Sequence, residues 1–559
     1  MPKEYTRRNF IKISAASALG ASSFMHLSCG LFPDFDVIIV GGTIFDGSGR
    51  PRVKSDLGIR DGVITAMGEL KDRSARKKIE ADGLAVAPGF IDFHSHSDDE
   101  LLLGGEAQSK IRQGVTTEVL GQDGESMAPL NPKMKERMME RLKNRYEIET
   151  DWDDFAGYLR TLEERGMITN AASMVGQGTL WEYVVGEDDR PATPEEIEKM
   201  KNLAKVAFSQ GAYGISSGLE YTPGSFASTE EITEICRSME GHGIYSTHMR
   251  NEDDTVIEAL QEAIQIAHGS GVALNISHIK ASAKRNWHKL LDILRLLNEA
   301  RASGMQVTCD RYPYIAYNTD LSALFPLWSR DGGSEKFVAR LQDPSLAHRL
   351  RADVMAKIEK LGGWHAVMVS SIPDNPNRGQ YEGKNFEELS RDGTDPYSLL
   401  AELIIQENGG GSMVGFAMSE ENTAKILSYP YCMIASDASS LAVEGKLRKG
   451  NPHPRSFGTF PRVLGKYARD EELMKMEEAI RKMTFLPAET LGLKDRGYLK
   501  KGLIADVAVF DPNSVIDNAT WSEPHQYPSG IPYVLVNGKL VIDQEKFTGQ
   551  LAGKVLRIS

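Results

Sequence analysis

Cysteine is scarce in this chain of 559 residues: only Cys29, Cys236, Cys309 and Cys432 occur. None stands in a CxxC pair, so neither a structural zinc knuckle nor a disulfide framework is indicated. The last three are read as small buried hydrophobes. Basic residues are not in surplus either. The 65 Lys and Arg stand against 78 Asp and Glu, a formal net charge of -13. That argues against nucleic acid as a partner, because a surface that tracks phosphates needs clustered Lys and Arg. It does not bear on a small anionic substrate, which responds to local charge. No low-complexity tract follows the first thirty residues. With 41% hydrophobic and 26% charged residues the composition is that of a soluble globular protein. The length calls for two to four domains or one large α/β barrel with an appendage.

The N-terminus reads Thr6-Arg7-Arg8-Asn9-Phe10-Ile11-Lys12, then a weakly apolar run of Ala, Ser and Gly as far as Leu27. The run is free of acidic residues and too short and polar to span a bilayer stably. It resembles a twin-arginine export signal. Leu27-Ser28-Cys29-Gly30 resembles a lipoprotein processing site with Cys29 as the candidate for lipidation, although His26 replaces the usual aliphatic residue. The expectation is an exported, periplasmic protein that meets a membrane only through a lipid on Cys29, if at all. Residues 1–32 are set aside from the fold.

From Phe35 the chain runs FDVIIVGGTIFDGSG, DLGIRDGVITAMGEL and KIEADGLAVAPGFIDFHSH, short β-rich runs broken by Gly-Gly, Asp-Gly and Gly-Ser turns. The C-terminal end, GYLKKGLIADVAVFDP and PYVLVNGKLVIDQEKFTG, has the same texture. Between these flanks lie eight short apolar runs: 89–96, 115–121, 169–176, 212–218, 243–248, 272–278, 305–314 and 431–437. Most are separated by helical stretches such as 194–211 and 253–271, with apolar residues at helical spacing and Gly stops. The expected class is α/β: a (β/α)8 TIM-like barrel over 89–489. A small β-sandwich is expected from both chain ends, 33–88 with 490–559. The connection at about 315–430 is too long for a plain crossover and should form a lid or insertion.

Polar residues gather where the expected strands end, which is where such a barrel carries its active site. Asp92-Phe93-His94-Ser95-His96 closes the first run, and alternate residues of a strand face one way, so His94 and His96 could share one cation. An HxH alone is a weak signal. His248 closes GIYSTH and His278 closes VALNISH. A packing role is the plainer reading for either alone, but four of the chain's twelve histidines at strand ends are hard to explain by packing. Asp437 ends the last run, where a carboxylate ligates metal, shuttles a proton or caps a helix.

At these residues the chain resembles the amidohydrolase superfamily, and within it the N-acyl-D-amino-acid deacylase (D-aminoacylase) family. The likeness runs from about residue 36 to the end. It covers PGFID-HSH, GVTTEVLGQDGESMAPL, SMVGQGTL, GISSGLEYTPG, YSTHMRNE, ISHIKASAKRNW, DRYPYIA, SDASS, HPRSFGTFPRVL, GLIADVAVFDP and PYVLVNGK. The resemblance implies His94, His96, His248 and His278 as metal ligands and Asp437 as catalytic acid/base. Where relatives carry a cysteine that can bridge two zinc ions, this chain has Asp123, implied as the bridging carboxylate. The implied cofactor is one or two Zn2+, or another divalent cation that suits a harder ligand. Gln177 stands where relatives often show His. Lys280, Arg455 and Tyr312 or Tyr314 resemble the family's clasp for a free α-carboxylate. Arg250 is a further anion contact or a member of a structural ion pair. The implied reaction is metal-dependent hydrolysis of an N-acyl-D-amino acid, a small-molecule substrate, to a carboxylate and a free D-amino acid. Two alternatives stand beside it: a cyclic-amide hydrolase or D-peptide dipeptidase, and a catalytically dead binding protein on the same scaffold.

Overall fold

A computed structural model describes residues 33–558. The export signal and Cys29 lie outside the described residues. Strand Phe35–Val40 pairs antiparallel with Asp56–Arg60 and parallel with Ala75–Glu80. Its alternate residues Val37 and Ile39 pack with Leu57, Ile59 and Ile79 against Leu499, Val507, Val509 and Leu535 from the far end of the chain. The ends also share hydrogen bonds, since Ala85–Pro88 pairs antiparallel with Val507–Phe510 and the latter with Tyr533–Val536. Two chain ends of similar β texture thus bury one apolar face together.

The middle of the chain is α/β with parallel strands. Phe90–Asp92, Val115–Leu120 and Asn170–Ser173 form one parallel sheet. Val175–Gly176, Gly214–Gly218, Ile244–His248, Ala273–Ile276, Val307–Arg311 and Cys432–Ile434 form a second. All eight apolar runs contain strands. Parallel neighbours need crossovers, and helices supply them. Helix Pro194–Ser209 starts at a Thr193/Glu196 capping box with Pro at its first position. Helix Val256–Ser270 stops at Gly271, which adopts φ +75°.

Most of the strands are shorter than the apolar runs: His248 is the last residue of its strand, but His94, His96, His278 and Asp437 lie just beyond theirs. His94 and His96 follow Asp92, the last residue of their strand, and Asp437 lies three residues beyond Ile434. Strand alternation therefore does not aim the two histidines; the loop leaving the strand does. That loop meets the last strand's loop through a parallel bridge between Ser95 and Ala438 and a hydrogen bond from the Asp437 N–H to the His94 carbonyl, 2.9 Å.

The connection between Arg311 and Cys432 carries a layer with a sheet and helices of its own. Strands Ala316–Asp320, Ser412–Phe416 and Val367–Ser371 make an antiparallel sheet. Helices Ala347–Leu361 and Pro396–Gln406 bury Leu350, Val354, Leu400 and Leu403 in a core of its own. Tyr317, Asn318, Thr319, Asp320, Lys357 and Ser370 from this layer line the central cavity.

Candidate metal centre

Two groups of side chains with the spacing to hold a metal ion meet at the ends of the parallel strands: His94, His96, Asp123 and Asp437, and Asp123, His248 and His278. Asp123 belongs to both. In the first, His94 Nε2 and His96 Nε2 lie 3.2 Å apart, Asp123 Oδ1 is 3.4 Å from His94 Nε2, and Asp437 Oδ1 is 3.2 Å from His96 Nε2. In the second, His248 Nδ1 and His278 Nε2 lie 3.1 Å apart, and Asp123 Oδ2 is 3.7 and 3.4 Å from them. Ligands about 2.0–2.1 Å from a tetrahedral cation sit about 3.4 Å from one another. Both groups have that spacing.

The donor set fits a divalent cation on two further counts. Among the described residues Asp123 Oδ1 is buried without a hydrogen-bond donor, a costly state for an anionic oxygen unless a cation meets it. The ligand imidazoles are also backed by carboxylates. His278 Nδ1 lies 3.0 Å from Glu252 Oε1, within hydrogen-bond reach, a partner of the kind that fixes ring orientation. His94 Nδ1 and His248 Nε2 face Asp310 Oδ1 and Glu220 Oε2 at 3.6 Å, too far for a hydrogen bond, so these carboxylates contribute charge only.

The site's electrostatics favour positive charge at its centre. Burial opposes protonation of His96, but hydrogen bonds to Asp123 and Asp437 outweigh it and bring the imidazole up to about 9. At His248 burial is again overcome, by Glu252, Asp123 and Glu220, to about 10. Burial pushes Asp123 up, yet His94 and His278 hold it well below the usual carboxylate range. For Asp437 the same burial is outweighed by Arg455 and the histidines, so it too stays ionised. Three of these residues have left-handed backbone: Asp123 at φ +53°, His278 at +35° and Asp437 at +51°. Aspartate tolerates this region better than most side chains, so the strain, of order 1–3 kcal/mol, falls mainly on His278, where the surroundings over-determine the conformation.

The sequence profile of the amidohydrolase family matches residues 77–311 and 449–542. This chain belongs to the amidohydrolase family. It is 38% identical over 527 residues to a D-aminoacylase of Alcaligenes xylosoxydans xylosoxydans, spanning 93% of this chain and 97% of that one. A solved D-aminoacylase, described with a binuclear metal centre, superposes with a TM-score of 0.79 at 36% identity, covering 94% of this chain and 100% of that one. An N-acyl-D-glutamate deacylase from Bordetella bronchiseptica, complexed with zinc and a phosphonate mimic of the tetrahedral intermediate, gives 0.78 at 33% identity with the same coverage.

In this amidohydrolase the other expected contacts divide. Arg455 and Lys280 line the cavity of about 410 Å³ that opens on the ligands. Both are committed: Arg455 Nη1 donates to Asp437 Oδ2 at 2.7 Å, and Lys280 Nζ reaches both Glu252 oxygens at 2.6 Å and His278 Nδ1 at 2.8 Å. Arg250 and the tyrosines do not reach the cavity. Arg250 pairs with Glu262 at 2.9 Å and donates to the carbonyls of Ser225 and Ala227, so of its two readings the structural ion pair holds. Tyr314 donates to Asp517 Oδ2 at 3.1 Å and packs on Trp521. Tyr312 is fully buried behind Arg455, whose guanidinium lies 4.6 Å from its ring centroid. The tyrosines that line the cavity are Tyr221 and Tyr317. Tyr221 sits inside the GLEYTPG segment, which could have flagged it; Tyr317 lies in a polar strand with no such signal. Glu252, four residues after His248, is the missed partner of Lys280. Gln177 is buried and its amide donates to the Gly224 carbonyl at 3.4 Å.

Proposed function

We propose that this amidohydrolase hydrolyses N-acyl-D-amino acids to a carboxylate and a free D-amino acid, using one or two divalent cations of which zinc is the first choice. The reading is carried by Asp123, whose two oxygens serve both ligand groups, in a chain 38% identical to a D-aminoacylase. A cation held by these residues acidifies water and polarises the amide carbonyl. Asp437 accepts the proton of the attacking water, and the Arg455 guanidinium beside it keeps it ionised for that task. A carboxyl held low also returns its proton readily, here to the departing nitrogen, which leaves poorly as an amide anion. Arg455 and Lys280 line the cavity and offer the substrate carboxylate positive charge while they stay paired with Asp437 and Glu252, so a carboxylate has to share them with those partners. The D preference rests on the relatives alone.

Around this site we read the parallel strands of the eight runs as a closed barrel over 89–489, with a composite β-sandwich from 33–88 and 490–559 and a lid over 315–430. Sheet pairing between the chain ends and the separate core of 315–430 support those bounds. The twin-arginine segment and Cys29 support export to the periplasm, with lipidation as the means of anchoring.

The test is metal analysis of the purified protein, then assays on paired N-acetyl-D- and N-acetyl-L-amino acids, D-dipeptides and hydantoins. The D-acyl amino acids are expected to be the best substrates. Preferred cleavage of hydantoins or dipeptides would install the alternative readings, and a chain without metal or turnover would be a binding protein. Stripping with a chelator should abolish turnover, and a stoichiometric divalent cation should restore it; full activity in metal-free protein contradicts the proposal. Arg455→Ala is expected to raise KM for a free-acid substrate far more than for its carboxamide. Equal effects on the two would show that Arg455 does not meet the carboxylate.

A further inference from the structure

Lys110 has no part in the chemistry above, yet it is completely buried beneath the His94/His96 loop. Its ammonium donates to Asp92 Oδ2 at 2.5 Å and Ser95 Oγ at 3.2 Å, meets Ser436 Oγ, and lies 3.9 Å from Glu118 Oε2. Asp92 reaches in turn across to the last strand. Its Oδ1 accepts the Ser436 N–H at 2.8 Å and its Oδ2 the Ser436 hydroxyl at 2.6 Å. Glu118, on the second strand, accepts from Ser95, Ser97 and Thr169 at 2.7, 2.6 and 2.7 Å.

These partners interleave with the ligands. Asp92, Ser95 and Ser97 flank His94 and His96 in sequence, and Ser436 immediately precedes Asp437. A buried lysine surrounded by two carboxylates and hydroxyls from both edges of the site has every reason to stay in one place: its desolvated charge is satisfied only in that geometry. The neighbouring backbone is tied as well, Ser109 N–H donating to the Leu441 carbonyl and Leu441 N–H to Ser109 Oγ at 2.8 and 2.9 Å.

The geometry points to Lys110 as a positioning residue, the buried cation that fixes the separation between the His94/His96 pair and Asp437. The inference rests on the reading that this group holds a cation. Lys110 touches neither substrate nor metal and acts through Asp92 and Ser436. The second group, Asp123, His248 and His278, is built on other strands and has no bond to Lys110.

Two variants test it. Lys110→Met removes the charge at similar length, and Ser436→Ala removes the hydroxyl that joins Lys110 and Asp92 without stranding a charge. On folded protein, Lys110→Met is expected to weaken cation binding by the His94–His96–Asp437 group by about 10–100-fold, the effect usual for outer-shell partners. kcat should fall by more than KM rises, because Lys110 touches none of the groups offered to the substrate carboxylate and reaches Arg455 only through Asp437. Ser436→Ala should shift both quantities in the same direction by less. A merely structural role would lower the yield or the melting temperature and leave the folded fraction with wild-type cation affinity and kcat; that result overturns the inference. If Lys110→Met does not fold, Ser436→Ala decides alone: unchanged cation affinity and kcat in that variant refute the positioning role. Wild-type protein that binds no cation at all would instead overturn the proposed function.

Discussion

Asp437→Asn is expected to yield a folded chain that still binds its cation and turns over substrate about 10²–10⁴-fold more slowly, the range that a positioned general acid/base contributes. The substitution keeps size and an oxygen for the ligand group, but removes the one carboxylate that faces both His96, at 3.2 Å, and Arg455, at 2.7 Å. What disappears is a group able to accept a proton from water and return it to nitrogen. A second effect follows from the ion pair. Arg455 is buried, with its Nε unpartnered among the described residues, and Asp437 is its carboxylate partner. Freed from that partner, the guanidinium should hold a substrate carboxylate more tightly, so KM for a free-acid substrate should hold or fall while kcat collapses. The same release leaves a buried cation without its counter-charge in the ligand-free protein, so the variant should melt at lower temperature and regain stability when substrate is added. Steady-state kinetics, metal analysis and thermal melts with and without substrate check all three. A kcat within about tenfold of wild type would remove Asp437 from the proton transfer.

The strand-end histidines and Asp437 were readable in the sequence because each closes an apolar run, and all eight runs contain strands. The run ends misled, however. At His278 and Asp437 the backbone turns left-handed, with φ +35° and +51°, and nothing in a hydrophobic pattern marks that turn. The result is that, of the candidate ligands at run ends, only His248 stands in its strand, while His94, His96, His278 and Asp437 sit on loops just past theirs. The inserted layer was legible only as an excess of length. Its cavity-lining strand, AYNTD at 316–320, is polar and pairs with residues nearly a hundred positions away. Lys357 reaches the cavity from helix Ala347–Leu361 and pairs with Asp253 at 2.9 Å, yet by spacing it looks like any solvent-facing lysine. Arg250 and Tyr314 show the converse: right residue types beside a site, spent on Glu262 and Asp517. Long-range ion pairs decide which charges remain for a ligand, and one sequence does not print them.

The largest loss of cation binding is expected from Asp123→Ala. Each histidine serves one ligand group, but Asp123 serves both, and it is the only carboxylate of the second. Without it that group is two imidazoles with no anion to neutralise a cation, and the first loses the oxygen 3.4 Å from His94 Nε2. Cation affinity should therefore drop by more than the about 10–100-fold that outer-shell changes cost, and turnover should fall to background. Asp123→Cys asks a different question. A thiolate is softer than a carboxylate, so the variant should keep cation binding but shift its preference toward zinc and away from harder cations. It should also be less stable. Position 123 adopts φ +53° between Gly121 and Gly124, at +68° and +82°, and aspartate is among the few side chains that tolerate that region, where others pay of order 1–2 kcal/mol. Competition titrations of zinc against manganese and cobalt on wild type, Asp123→Ala and Asp123→Cys separate the outcomes. Wild-type stoichiometry and turnover in Asp123→Ala would mean that the carboxylate is not a shared ligand. An unchanged order of cation preference in Asp123→Cys would mean that the choice of metal is set by the histidines and their carboxylate partners, not by the residue between the two groups.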